Sequence, residues 1–515
     1  MNGDSAGVRS RRWSTILEML EAQAGSIPTR EAIVSPSGFS LDYRSLYSTV
    51  DRLRLKLAQL GIDGHDRVAV VLPNGPEMAV AFLACAAAAT CAPLNPAYQE
   101  AEFDYYLADL DAKALITSDG AAPAAVRAAE ARGLPVLGLS RDGSFTIEGA
   151  GASAAVRADL PASDRVALVL HTSGTTARPK QVPLTHANLC VSADNIRATL
   201  ELTPEDRCMN VMPLFHIHGL AAALLASLAT GASVVCTSGF DGLRFHSLLA
   251  RIQPTWYTAV PTMHQVIVDR APRELDTAHA NQRLRFIRSC SAALAPRLMS
   301  DVENLFAVPM VEAYGMTEAS HQMAVNPLPP GTRKPASVGP EAGCRIAIMD
   351  DAGNLLETGQ SGEVVIRGEG VMAGYHANPE ANRTSFTNGW FRTGDRGHLD
   401  ADGYLYLTGR LKEIINRGGE KISPREVDDV LMSFPGIREA VTFAMPHRTL
   451  GEEVAAAVVL REGAAATEKQ IRDHASARLA PFKVPRRIVF VSEVPKGPTG
   501  KMQRIGLAGR LGIES

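Results

Sequence analysis

Phosphate chemistry is concentrated in one stretch, His171-Thr172-Ser173-Gly174-Thr175-Thr176-Ala177-Arg178-Pro179-Lys180. Four hydroxyl residues (Thr172, Ser173, Thr175, Thr176) fall within five positions around Gly174, ahead of Lys180. The apolar run 166–170 before them reads as a buried strand. A strand feeding such a turn suits an anion. Backbone N–H groups converge there, and hydroxyls and an ammonium add charge-assisted hydrogen bonds. The pattern is not G-x-x-x-x-G-K-[ST]: counted from Gly174, Pro179 stands at the second glycine and Gln181 at the Ser/Thr position. That argues against an ordinary P-loop ATPase or kinase.

Four further groups carry chemistry. Pro213-Leu214-Phe215-His216-Ile217-His218-Gly219 sets two histidines two apart. The spacing suits metal ligands, but no third ligand is near, and Gly219 is expected to break any helix. Substrate contact or structural hydrogen bonding is the better reading. Tyr314-Gly315-Met316-Thr317-Glu318 follows an apolar stretch and offers a hydroxyl and a carboxylate to Mg²⁺ and phosphate, or forms a structural turn. Asp395 and Arg410 suit a ribose diol and its support, or a salt-bridged hairpin. Pro495-Lys496-Gly497-Pro498-Thr499-Gly500-Lys501 is a loop ending in one ammonium, which by itself reads as solvated.

The elements that must position these groups alternate. Strands are expected over 68–72, 114–117, 166–170 and 233–237, with helices over 78–89 and 220–229. That alternation predicts an α/β protein with layered, largely parallel sheets in a large N-terminal domain over 1–408. A change of character near 409–413 marks a hinge, and 414–515 reads as a small α+β C-terminal domain. Its first helix starts at Ser423-Pro424-Arg425-Glu426, where Ser423 is expected to cap and Glu426 to close the box. A second capped helix opens at Thr467, and strands are expected over 440–444, 454–460 and 488–491.

At 515 residues the chain exceeds one core. A net charge of −3 with no long block of one sign leaves no nucleic-acid footprint or polybasic membrane patch. The most apolar segment, 78–92, falls short of the ~20 residues of a membrane span. Seven scattered cysteines with no C-x-x-C pair predict reduced core thiols and a cytoplasmic location.

Jointly, TSGTTARPK, YGMTE, WFRTGD, GRLKEIINRGGEKISPREVD and PTGK resemble the adenylate-forming superfamily, over about residues 30–505. The segments around 256–265, 284–292, 316–323 and 326–329 are similar to its oxalate–CoA ligase group. Gln181 departs from the pattern, since many relatives have Gly after the loop lysine. The resemblance implies that a carboxylate attacks the α-phosphorus of ATP, releasing pyrophosphate, and that the CoA thiol then displaces AMP. It implies that Thr172, Ser173, Gly174, Thr175, Thr176 and Lys180 cradle the phosphates and that Glu318 holds Mg²⁺. Ala292, Ala293, Glu312, Ala313, Tyr314, Gly315 and Thr317 would line the nucleotide site, and Asp395 and Arg410 would take the ribose. Lys501 would bridge the substrate carboxylate and α-phosphate as the catalytic lysine. Lys412 matches the hinge about which the small domain rotates, and Gly418 and Gly419 would let pantetheine pass.

A fatty acid needs an apolar tunnel, whereas oxalate needs donors for its second carboxylate. By match to the oxalate group those donors are His216, Ser291 and His321, with His218 as support. His216 also counts among the catalytic candidates. The expected partners are a small carboxylic acid, ATP and CoA, with monomer and homodimer both open. The alternatives are a medium- or long-chain acyl-CoA synthetase, an adenylation enzyme loading a carrier protein, and a silent scaffold relative.

Overall fold

The computed structural model describes residues 13–140, 144–148, 159–172, 179–271, 283–496 and 502–513. Two large sheets carry the N-terminal region. The first runs in the order His321–Val325, Met310–Met316, Phe286–Ser289, Trp256–Ala259, Arg207–Asn210, Ser233–Cys236, Glu31–Val34, Ser40–Asp42. It is parallel except at its two edges. The second runs Ile147–Glu148, Val136–Leu139, Ala114–Thr117, Arg67–Val70, Thr90–Pro93, Val166–Thr172, Lys180–Thr185, again antiparallel only at its edges. Strands buried on both faces read as unbroken apolar runs, which is why the sequence revealed Arg67–Val70, Ala114–Thr117, Val166–Thr172 and Ser233–Cys236. The helix Pro76–Ala88 is buried at every residue but Glu77. It belongs to the core shared by both sheets.

The expectation of largely parallel sheets fails between residues 345 and 410. There, Arg345–Met349, Gly362–Arg367, Trp390–Leu399, Phe386–Thr387 and Leu405–Arg410 form a third sheet that is antiparallel throughout. Its strands are joined by turns and by one short helix, Pro379–Ser385, rather than by a crossover helix after each strand, so no regular alternation marks it.

Residues 415–513 have a sheet of their own, in which Gly451–Leu460 pairs with Ile437–His447, Ile415–Arg417 and, in parallel, Arg487–Phe490. Period-two alternation splits its side chains between two cores. Ala440, Val454, Ala456 and Val458 pack with the helices Pro424–Met432 and Glu468–Ser476, while Val441, Phe443, Ala455 and Ala457 pack with Leu507–Arg510. Thr467 and Gln470 form the expected reciprocal cap, with Thr467 N donating to Gln470 Oε1 at 2.9 Å. Ser423 does not cap its helix. Its hydroxyl donates instead to the Thr408 carbonyl, and Glu426 pairs with Lys483 Nζ at 2.6 Å.

Gly219 does not break its helix either. A π-helix, His218–Leu225, includes it and continues as Ala226–Thr230. A Cβ at Gly219 would lie 2.3 Å from the Pro213 carbonyl oxygen, so glycine lets the helix start press against the preceding turn. All seven cysteines are buried and free. No helix among the described residues is long and apolar enough to cross a membrane.

Candidate active site

The strands Val166–Thr172 and Lys180–Thr185 form the stem of the hydroxyl-rich loop, with Thr172 paired to Lys180. Ser173, Gly174, Thr175 and Thr176 lie outside the described residues. Gln181 is buried, and its amide donates to the Asp109 carbonyl at 2.6 Å and to Asp109 Oδ2 at 2.8 Å. His171 Nε2 meets the same carboxylate oxygen at 2.9 Å. The unusual glutamine therefore locks the stem to the helix Glu100–Asp109. Lys180 lies 4.4 Å above the Tyr375 ring, and burial, then Lys412, depresses its ammonium. The Tyr375 hydroxyl donates to Glu318 Oε1 at 2.9 Å.

Glu318 sits on a short 3-10 turn, Thr317–Ala319, after the strand Met310–Met316. Burial pushes its carboxyl up, against a backbone hydrogen bond, Tyr375, Arg410 and Lys180. Gly315 is a close-approach glycine: a Cβ there would lie 1.9 Å from the His321 carbonyl oxygen. The Tyr314 hydroxyl donates to Asp395 Oδ2, and Arg410 Nε donates to Asp395 Oδ1 at 2.9 Å. Asp395 and Arg410 are register partners on adjacent strands, which is the salt-bridged hairpin. Both carboxylate oxygens are already engaged, and a diol would use their remaining lone pairs.

Ala313 and Glu312 are buried on the same strand. Glu312 Oε1 accepts from Leu294 N at 3.2 Å, which pins the turn holding half-buried Ala292 and exposed Ala293. Burial pushes the Glu312 carboxyl up to about 7, opposed chiefly by Arg425.

A polar cluster lies behind this rim. His218 Nδ1 is 3.1 Å from Ser291 Oγ, and its Nε2 is 2.6 Å from Thr258 Oγ1. The His218 and His321 ring centroids are 5.0 Å apart. Ser291 (φ 74°) and His321 (φ 106°) both hold left-handed backbone conformations, strain typical of functional sites. The structure thus gathers Ser291, His321 and His218. His216 precedes that group in the turn before the π-helix, against Phe215, and its carbonyl accepts from Leu220 N. Sequence reasoning gave His218 only a supporting part, whereas the fold puts it at the centre. It also missed Thr258, Gln322 and Arg288. Arg288 is a fully buried arginine inside a strand, and an arginine directly after Phe286-Ile287 was the available signal.

Gly418 (φ 59°) and Gly419 (φ 99°) form the two-residue turn of a hairpin between Ile415–Arg417 and Glu420–Ile422. Lys412 lies in the 3-10 turn Leu411–Glu413 after the third sheet. Lys501 is outside the described residues.

Comparison with known proteins matches residues 20–376 to the AMP-binding enzyme family and 426–501 to the AMP-binding enzyme C-terminal domain. The chain belongs to the AMP-binding enzyme family. It is 45% identical to the oxalate–CoA ligase of Arabidopsis thaliana, over 95% of this chain and 97% of that one. Against the oxalate–CoA ligase of Saccharomyces cerevisiae it is 42% identical, over 85% and 86%. The crystal structure of ATP-bound MatB from Rhodopseudomonas palustris superposes with a TM-score of 0.87 at 29% identity, covering 96% of this chain and 98% of that one.

In this AMP-binding enzyme, no group of three or more His, Cys, Asp or Glu among the described residues could hold a metal ion. A single carboxylate such as Glu318 fits Mg²⁺, which takes most of its ligands from substrate phosphates and water. It does not fit a protein-enclosed transition metal.

Proposed function

We propose that this AMP-forming acid–CoA ligase acts on oxalate. The polar acyl cluster of Ser291, His218 and His321 carries that reading. A fatty acyl chain would leave those groups facing hydrocarbon, whereas the far carboxylate of oxalate supplies them with an acceptor.

In the first step one oxalate carboxylate attacks the α-phosphorus of ATP and pyrophosphate leaves. Positioning and charge stabilisation supply most of the acceleration. Thr172 and Lys180 bracket the phosphates from the loop stem, and Lys501 bridges the attacking carboxylate and the α-phosphate. Glu318 would hold Mg²⁺, which would supply positive charge against the phosphates. Asp395 and Arg410 fix the ribose, and Ser291 and His321 hold the far carboxylate. The 414–515 unit then turns about Lys412, the Gly418-Gly419 hairpin admits pantetheine, and the CoA thiolate attacks the adenylate carbonyl, releasing AMP.

The test is pyrophosphate exchange into ATP over oxalate, malonate, acetate, octanoate and benzoate, followed by AMP release with CoA added. Oxalate is expected to lead by an order of magnitude or more. Preference for octanoate would remove the reading, and turnover that ignores free CoA would replace the acceptor.

A further inference from the structure

Arg288 sits at zero exposure in the strand Phe286–Ser289 and makes no ion pair with any described residue. Its neighbours are neutral and their contacts long. Nη1 lies 3.4 Å from Thr258 Oγ1, and Nη2 lies 3.3 Å from Gln322 Oε1 and 3.5 Å from His321 Nδ1. The Gln322 amide is turned by its own bonds, since Nε2 donates to Thr199 Oγ1 and to the Ala342 carbonyl. A guanidinium is effectively always charged, and taking it from water without a counter-ion is costly. Burial depresses its pKa, opposed by the neighbouring Cys290 and Cys208 thiols and by no carboxylate. The compensating charge must come from elsewhere.

The hydrogen-bond directions follow from the guanidinium being donor-only. Thr258 Oγ1 accepts from Arg288, so its hydroxyl proton has His218 Nε2 as its acceptor among the described residues. That fixes His218 as the Nδ1–H tautomer, which donates to Ser291 Oγ. The Ser291 hydroxyl proton is then turned outward. On the second arm His321 Nδ1 accepts from Arg288, which leaves the neutral ring its proton on Nε2.

We propose that Arg288 is a positioning residue of the acyl site: it aligns Ser291 and His321 as donors and supplies the fixed positive charge that selects a substrate with a second carboxylate. The inference rests on the oxalate reading and extends it to a residue behind the pocket wall. Aligned hydrogen bonds polarise one another, so both arms strengthen when an anion arrives.

The experiment compares oxalate with oxamate, the same size but with a neutral amide in place of the second carboxylate. kcat/KM for pyrophosphate exchange is measured for the wild type, Arg288→Met and Thr258→Val. Arg288→Met is expected to lower the oxalate-to-oxamate ratio about 10²-fold, and the near-isosteric Thr258→Val about 10-fold. Histidine ¹⁵N spectra of the wild type should show His218 as the Nδ1–H and His321 as the Nε2–H tautomer. If Arg288→Met does not fold, Thr258→Val and the tautomers still decide. An unchanged ratio in a folded variant, or the opposite tautomers, overturns the inference alone. A wild type inert toward oxalate removes the oxalate reading, and this inference with it.

Discussion

Glu312 shows how one buried carboxyl serves a binding rim at a cost in stability. It fixes the Leu294 amide and so the turn carrying Ala292 and Ala293. Burial raises its folded-state pKa from 4.5 to about 7. A carboxyl raised on folding binds more protons folded than unfolded, so stability falls as pH rises. Its stabilising contribution is complete below about pH 4.5 and is lost through pH 7. Glu312→Gln keeps an acceptor for Leu294 and never ionises. Its melting temperature relative to wild type should therefore climb between pH 5 and pH 8. At pH 8 the gain is on the order of 3 kcal/mol, less what is lost with Arg425. Parallel melts across that range check it, and a constant difference would contradict it.

Among the elements, the Gly418-Gly419 hairpin has two accounts that make different predictions. A two-residue turn with positive φ at both positions favours glycine for backbone reasons alone. At Gly418 a Cβ would also meet Leu450 Cδ2 at 3.0 Å. On folding grounds Gly418→Ala should cost about 1–2 kcal/mol and leave both half-reactions alike. If pantetheine passes this backbone, the same variant should also slow thioester formation about 10-fold more than pyrophosphate exchange. Single-turnover measurement of the two halves separates the accounts, and the second is the expected outcome.

At the scale of the molecule, the two regions have separate cores and meet near the link through few polar contacts. Arg425 Nη1 donates to the Leu407 carbonyl at 3.0 Å, and Ser423 donates to the Thr408 carbonyl. Arg504 ties Glu413, at 3.3 Å, to Asp428, at 2.6 Å. Lys412 is exposed between these anchors. Losing one charged hydrogen bond should raise local opening roughly 10-fold. Arg425→Ala should therefore speed tryptic cleavage after Lys412 by about that factor, read as the fragment ending there by mass spectrometry. An unchanged rate would mean that these contacts do not hold the link closed.

The sequence alone determined the layered, largely parallel α/β character, the Thr467 helix cap and the first strand of the loop stem, because each is dictated locally. Buried parallel strands must be continuously apolar, and a cap is set within four residues. It also singled out Glu318, Asp395 and Arg410 as candidates within short motifs, and the structure joins Asp395 to Arg410. What it could not decide depends on partners far along the chain. Ser423 has every local qualification for a cap, yet a carbonyl of the third sheet takes its hydroxyl. Gly219 reads as a helix breaker until the Pro213 carbonyl is seen against it. Arg288 looks like an error in a buried strand until Thr258, 30 residues away, and His321, 33 residues away, are brought to its guanidinium. Hydrogen-bond direction and the neutralisation of a buried charge belong to the assembled network, and only tertiary structure assembles it.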